Sequence, residues 1–206
     1  MRIVIGPTDR VVIVGQTGSG KSTLARHLTA GDRQLVVVDP KHEEVVEGAT
    51  IATSPREFRA LWPQRTTRVV VRPDPAAEGE DVDEVLARIM RWGRCRILVH
   101  EVVDYAGPQR VIPHLRRAAK LGRSLGVSLV VCSQRPIGVH NDVLAEADHL
   151  CAFRLLLEGD RRKVEGIIGE PLPVLVGHEW AYWSPKTRLV RCAPIDPGPP
   201  AAQGGV

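Results

Sequence analysis

The run Gly15-Gln16-Thr17-Gly18-Ser19-Gly20-Lys21-Ser22 constrains this chain more than any other stretch of it. It fits GxxxxGK[ST], with the apolar VVIV before it and TLARHLTA after it. A strand is therefore expected to enter the loop and a helix to leave it, which is the context such a loop needs. Its glycines let successive backbone N–H groups curl round a phosphate without Cβ clashes, and the helix start adds its positive dipole end. In that geometry Lys21 reaches the β- and γ-phosphates, the Ser22 hydroxyl holds Mg²⁺, and Thr23 closes the phosphate-binding set. ATP and Mg²⁺ are the cofactors implied. The NKxD motif that reads guanine is absent, so regulatory GTPases are set aside.

Short β-branched runs alternate with longer amphipathic segments through the rest of the chain, the pattern of an α/β fold with a mainly parallel sheet flanked by helices. Strands are expected at residues 2–5, 11–14, 35–39, 68–71, 97–100, 127–132 and 149–154. Helices are expected at 21–29, 55–61, 81–92, 109–125, 142–145 and 160–168. In the third of these, Val82, Val85, Leu86, Ile89 and Met90 form one apolar stripe. Residues 179–183 and 187–191 flank Ser184-Pro185-Lys186 and read as a C-terminal β-hairpin. At 206 residues the chain is expected to hold a single ATPase domain over 1–192, followed by a Pro/Gly-rich, disordered tail over 193–206. No apolar run approaches the roughly 18 residues of a membrane span, and the N-terminal one is too short for a signal peptide. Cys95, Cys132, Cys151 and Cys192 lie far apart without CxxC spacing, which points to structural thiols in a reducing compartment. The seven His residues form no HExxH or other close pair, so a zinc enzyme is unsupported.

A phosphate-binding loop alone names no reaction. The apolar run Ile97-Leu98-Val99 ends in His100-Glu101, where a Walker B segment should lie. Glu101 is placed to polarise an attacking water, which marks hydrolysis. His100 stands where an Asp usually holds Mg²⁺ through water; a neutral imidazole can accept from that water but carries no negative charge. Weak Mg²⁺ binding, compensation by Asp39 or Asp104, and a silent site are all compatible with it. A further apolar strand over 127–132 leads into Ser133-Gln134-Arg135-Pro136, and Gln134 is expected beside the γ-phosphate as its sensor. Between Arg88 and Arg135 lie ten Arg or Lys and two acids, in a chain of net charge +4, and this basic band suggests a polyanion partner. Arg116, Lys120 and Arg123 fall on one helix face, and Arg88, Arg91, Arg94 and Arg96 make a second cluster.

Four segments together resemble the FtsK/HerA superfamily of DNA-pumping ATPases: GQTGSGKS (15–22), VVVDPKHE (37–44), ILVHE (97–101) and GRSLGVSLVVCSQRP (122–136). The resemblance continues through NDVLAEADHLCAFRL (141–155). It implies a RecA-like core with strand order 5-1-4-3-2, working as a homo-oligomeric ring, commonly a hexamer, with double-stranded DNA through the pore. In such rings a neighbour's Arg completes the ATP site; the candidates are Arg161 and Arg162 first, then Arg123 and Arg154. A bare motor core of this length is similar to the genome-packaging ATPases of membrane-containing icosahedral double-stranded DNA viruses. That similarity implies a motor at the packaging vertex of the virion and in the host cytoplasm, with a capsid-vertex or membrane protein as docking partner. The alternatives are a plasmid- or cell-encoded DNA-transfer motor in the cytoplasm, and a nucleotide-binding structural subunit that does not hydrolyse.

Overall fold

The computed structural model describes residues 5–62 and 67–195. The element order is β1 (Arg10–Val14), α1 (Lys21–Thr29), β2 (Gln34–Val38), β3 (Thr50–Ala52), α2 (Pro55–Leu61), β4 (Thr67–Val71), α3 (Glu78–Trp92), β5 (Cys95–Val99), α4 (Pro113–Leu121), β6 (Val127–Ser133), α5 (Asn141–Leu144), β7 (His149–Phe153), α6 (Glu158–Ile168), β8 (Trp180–Ser184) and β9 (Arg188–Cys192). All strands join one sheet in the order β3-β4-β2-β5-β6-β1-β7-β8-β9. Pairings from β3 through β7 are parallel, and β8 and β9 are added antiparallel at the far edge. The central five, β7-β1-β6-β5-β2, reproduce the expected 5-1-4-3-2 order once each strand is counted by its place in the core.

Parallel strands need both faces covered, and their side chains alternate between the two. Val12, Val14, Val36, Val38, Ile97, Val99, Leu129 and Val131 face a large cluster shared with Phe58, the α3 stripe and α4. Val11, Ile13, Leu35, Val37, Leu98 and Val130 face the other way, under Leu24 and Ala25 of α1 and the aromatic rings of Phe153, Trp180 and Tyr182. The stripe expected on the third helix is buried throughout, from Val82 at 0% exposed to Met90 at 5%. Helix α1 thus lies nearly alone on one face, which leaves its N-terminus open at the carboxyl ends of β1 and β6.

Several expected boundaries shift for local reasons. Helix α4 begins at Pro113, not at residue 109, because proline is preorganised for the first helical turn and Val111 instead bridges back to Ala106. Its last part, Gly122–Leu125, tightens to a 3₁₀ turn that ends on Gly126 at φ 70°. Strand β3 was not expected: it is three residues long and exposed at two of them, and only its backbone pairing to β4 makes it a strand. The strand expected at 2–5 lies outside the described residues except for Ile5, and Ile5 is not in a strand. The tail beyond residue 195 is likewise outside them. Residues 193–195, expected to be disordered, turn back onto the sheet: the Trp180 indole donates to the Ala193 carbonyl at 2.9 Å and Ile195 packs against the α1-side core.

Candidate nucleotide site

The loop after β1 is shaped by its glycines. Gly15, Gly18 and Gly20 have φ of 153°, 73° and 109°, values that side-chain-bearing residues rarely adopt. A Cβ on Gly15 would lie 2.6 Å from the Phe153 Cβ, so the loop also packs too closely on β7 for any side chain there. The Gly15 N–H donates to the Ser133 carbonyl at 3.2 Å and the Gln16 N–H to the Arg154 carbonyl at 3.2 Å, tying the loop to the ends of β6 and β7. Helix α1 then starts at Lys21 with no side-chain cap and no acid in its first turn. Its N-terminal N–H groups and dipole are thus left for an anion.

The side chains expected at the phosphates converge. Lys21 is 8% exposed, and its Nζ donates to the Gln16 carbonyl at 3.0 Å. Burial holds its pKa below the ordinary lysine value, with the Glu101 charge opposing that shift. Glu101 Oε1 accepts from Gln134 Nε2 and from Lys41 Nζ, both at 2.8 Å. Gln134 Oε1 in turn accepts from the Thr17 hydroxyl at 2.9 Å. Gln134 therefore bridges the phosphate loop and the Walker B carboxylate across 117 residues of sequence. Burial disfavours the charged form of Glu101, but the hydrogen bonds from Lys41 and Gln134 and the charges of Lys41 and Lys21 outweigh it, so the carboxyl sits below its ordinary value. Glu101 also has φ 50° and ψ 54°, a left-handed conformation that costs a non-glycine residue on the order of 1–2 kcal/mol. Strain of that kind collects at functional positions.

His100 lies beside them, 7% exposed. Burial keeps its pKa below the ordinary value against the opposing charges of Glu44 and Asp39, so the ring is neutral at pH 7. Its Nε2 has no hydrogen-bond partner among the described residues, and the same is true of the buried Ser19 Oγ and Gln16 Oε1. Ser19 Oγ and Gln16 Oε1, orphaned in the loop just before an uncapped helix start, are what a nucleotide with its hydrated cation would satisfy, so the residues present fit ATP and Mg²⁺. Among the described residues no group of three or more His, Cys, Asp or Glu could hold a metal ion.

Of the two acids expected to compensate for His100, Asp39 is occupied: it accepts from the Glu43 and Glu44 N–H groups at 3.2 and 3.0 Å and from Arg72 Nε at 3.3 Å. Asp104 is exposed. Sequence reasoning missed Lys41 as a partner of Glu101 and Glu44 as the acid next to His100. It also missed a cavity of about 310 Å³ beside the loop, walled by Phe153, His178, Pro194 and Ile195. His178 Nδ1 lies 3.2 Å from the Ser19 carbonyl. The Asp-Pro-Lys-His-Glu-Glu run was visible as a motif; which of its residues turn inward depends on the loop geometry.

The candidate trans-acting arginines are separated in space. Arg154 is exposed beside the phosphate loop, in a cleft of about 560 Å³ shared with Thr17, Gln134 and Arg135. Arg161 is held by Glu165 at 2.9 Å and by the Leu172 carbonyl, and Arg162 pairs with Glu158 on the α6 surface. Arg123 pairs with Asp148 at 2.6 Å, next to Arg10 at the start of β1 and so at the opposite end of the strands from the loop. The basic stripe needs correcting in the same way. Arg116 and Lys120 both pair with Asp142, at 2.6 and 3.2 Å, so one carboxylate at the seam between α4 and α5 offsets one of their two charges. In the second cluster Arg96 is buried in β5, bound to Asp32 at 2.6 Å and to the Ser128 hydroxyl at 3.0 Å. Arg91 and Arg94 remain exposed.

Comparison with known proteins agrees with this arrangement. No family model matches the chain. The chain is 27% identical to the DNA packaging ATPase P9 of Enterobacteria phage PRD1 over 177 residues, covering 82% of this chain and 75% of that one. It is 25% identical to the Protein Tra of Streptomyces lividans, covering 92% of this chain but only 35% of Tra. Among solved structures, the genome packaging NTPase B204 of Sulfolobus turreted icosahedral virus 2, in complex with AMPPCP, superposes with a TM-score of 0.75 at 22% identity. That match covers 93% of this chain and all of B204. The conjugation coupling protein TcpA of pCW3 superposes with a TM-score of 0.60 at 14% identity, over 89% of this chain and 59% of TcpA. The fold is that of the P-loop packaging and transfer ATPases, as the four quoted segments implied.

Proposed function

We propose that this chain is an ATP-driven translocase of double-stranded DNA that serves to package a viral genome into a preformed capsid. The observation that carries the proposal is the Thr17–Gln134–Glu101–Lys41 chain of hydrogen bonds, which couples the phosphate loop to a carboxylate at the end of the neighbouring strand but one. Similarity to a phage packaging ATPase over most of both chains supports the biological setting. The same similarity supports DNA as partner; a homo-oligomeric ring at the virion packaging vertex is part of the proposal.

The residues divide the work of hydrolysis between them. The N–H groups of the loop from Gly15 to Thr23 and the Lys21 ammonium neutralise and orient the phosphates. The cavity lined by Phe153 and His178 takes the nucleoside. Ser22, and His100 through water, would hold Mg²⁺, which when bound draws charge off the phosphate oxygens. Glu101 accepts a proton from the attacking water at an Oε; its lowered pKa keeps it ionised at neutral pH. Gln134 holds that carboxylate against the loop, so arrival or loss of the γ-phosphate at Thr17 is felt at Glu101. Arg154, exposed beside the loop, and Arg161 and Arg162 at the start of α6 are the candidates to stabilise the transferring phosphoryl group, within one chain or from a neighbour.

The likeness in fold to the pCW3 conjugation coupling protein TcpA supports a second reading, a plasmid- or cell-encoded DNA-transfer motor with the same chemistry and a different address. Steady-state hydrolysis of Mg·ATP with and without long double-stranded DNA tests the shared core. Turnover raised several-fold by DNA is expected; turnover indifferent to DNA would remove the motor reading.

A further inference from the structure

The Walker B position holds a neutral imidazole, yet a carboxylate lies directly behind it. Glu44 is 6% exposed, and its Oε1 stands 3.4 Å from His100 Nε2, within ion-pair range though longer than a good hydrogen bond. The loop that carries Glu44 is built to hold it there. Asp39 accepts the Glu44 N–H at 3.0 Å, and Arg72 ties the Glu44 carbonyl at 3.1 Å to the Asp39 carboxylate at 3.3 Å. The Glu44 carboxylate also meets Arg26 Nη1 at 3.3 Å. Arg26 is one helical turn beyond Ser22 on the same face of α1, and Glu44 meets that face at Arg26. Arg26 is 48% exposed and its charge is largely screened by water, whereas Glu44 and His100 are both enclosed.

We propose that Glu44 and His100 act as a pair in place of the single Walker B acid: Glu44 supplies the missing negative charge and fixes the ring tautomer, and His100 presents the acceptor to a metal-bound water. This rests on the ATP and Mg²⁺ reading above. A carboxylate behind a metal-side imidazole raises its basicity and locks its orientation, and loss of such a partner commonly costs 10–100-fold in metal affinity. At 3.4 Å the Nε2–H makes no hydrogen bond to Glu44 Oε1 as it stands, but closing the gap by about 0.4 Å would let it donate there, and the other ring nitrogen would then keep its lone pair for a hydrogen bond from a coordinated water. Asp39 does not fill this role, because its oxygens are engaged by Glu43, Glu44 and Arg72.

The test is calorimetric binding of ATPγS to the full chain at graded Mg²⁺ and in EDTA, a readout that needs no turnover. In Glu44→Gln the Mg²⁺ concentration that half-restores ATPγS affinity should rise about 10-fold or more, while affinity in EDTA stays within about 2-fold of the parent. Adding His100→Asp to Glu44→Gln should bring the Mg²⁺ midpoint back towards the parent value. An unmoved midpoint in Glu44→Gln, an equal loss with and without Mg²⁺, or failure of His100→Asp to restore it would each overturn the pairing. Should Glu44→Gln fail to fold, His100→Ala tests the same claim: its midpoint should rise by a similar factor, and an unchanged one overturns it. Absence of any ATPγS binding by the parent chain would overturn the nucleotide reading and this inference together. Binding with an unmoved midpoint overturns this inference alone.

Discussion

Replacing Gln134 by Glu turns the hydrogen bond that steadies Glu101 into a repulsion, and the structure sets its size. In the parent chain Gln134 Nε2 donates to Glu101 Oε1 at 2.8 Å, and the carboxyl lies below its ordinary value. In Gln134→Glu two carboxylates meet at that separation and share one proton in a coupled titration. Two unit charges 2.8 Å apart repel by about 1.5 kcal/mol even in the dielectric of water. The lost bond to a charged acceptor adds roughly 1.5–3 kcal/mol. Together these correspond to about two to three pH units. Lys41 keeps its own bond to Oε1 and partly offsets the repulsion, so the lower half of that range is expected. The group that must be ionised for hydrolysis then takes up its proton about two pH units higher than in the parent chain. The assay is the pH dependence of kcat for Mg·ATP between about pH 5.5 and 8.5. The parent should show no limb from Glu101 in that window, because its lowered pKa leaves it ionised throughout. The variant should lose activity about tenfold per unit below its midpoint, with Gln134→Ala as the control for loss of the bond alone. A flat profile in Gln134→Glu would refute the claim that Gln134 and Glu101 act as one unit.

Other perturbations separate chemistry from scaffold. Lys21→Ala should reduce ATPγS affinity by at least 100-fold, roughly 2.7 kcal/mol, in calorimetry without lowering the melting temperature, since buried Lys21 has only the Gln16 carbonyl to lose. Gly93→Ala should destabilise the chain by about 2–4 kcal/mol and lower its melting temperature by about 5–15 °C, because the new Cβ would lie 2.2 Å from the Leu125 carbonyl oxygen at a φ of 70°. Replacing Arg116 and Lys120 by Ala should leave the slope of log affinity for DNA against log salt within about one unit of the parent, because Asp142 already offsets one of their two charges. A slope reduced by two units would return those residues to the DNA path.

The parts of the fold legible in the sequence were those set by short-range patterns. The apolar runs into and out of the loop, the α3 stripe and the hairpin were each fixed by periodicity that survives burial. The 5-1-4-3-2 order came from resemblance, since nothing local in Val36 or Ile97 says which strand lies beside which. What stayed hidden depends on long-range placement. Arg96 reads as one more member of a basic cluster until β5 carries it inside against Asp32 and Ser128. Arg116 and Lys120 look free until α5 brings Asp142 to them. At the site, Lys21, Ser22, Glu101 and Gln134 were visible because their spacing to a strand end carries the chemistry. Glu44 was not, because its inward turn is set by two hydrogen bonds to Asp39. Pro194 and Ile195, which wall the cavity beside the loop, sit in a Pro-rich stretch that gives no sign of packing.

In the proposed motor, hydrolysis at Glu101 drives movement along duplex DNA. This coupling is tested most directly by displacement of a third strand from a triplex placed far from the end of a long DNA, comparing the parent with Glu101→Gln. Displacement by the parent should require ATP, and Glu101→Gln should show none while still binding ATPγS and DNA. Displacement by Glu101→Gln at the parent's rate, or ATP hydrolysis by the parent that never displaces the strand, would contradict it.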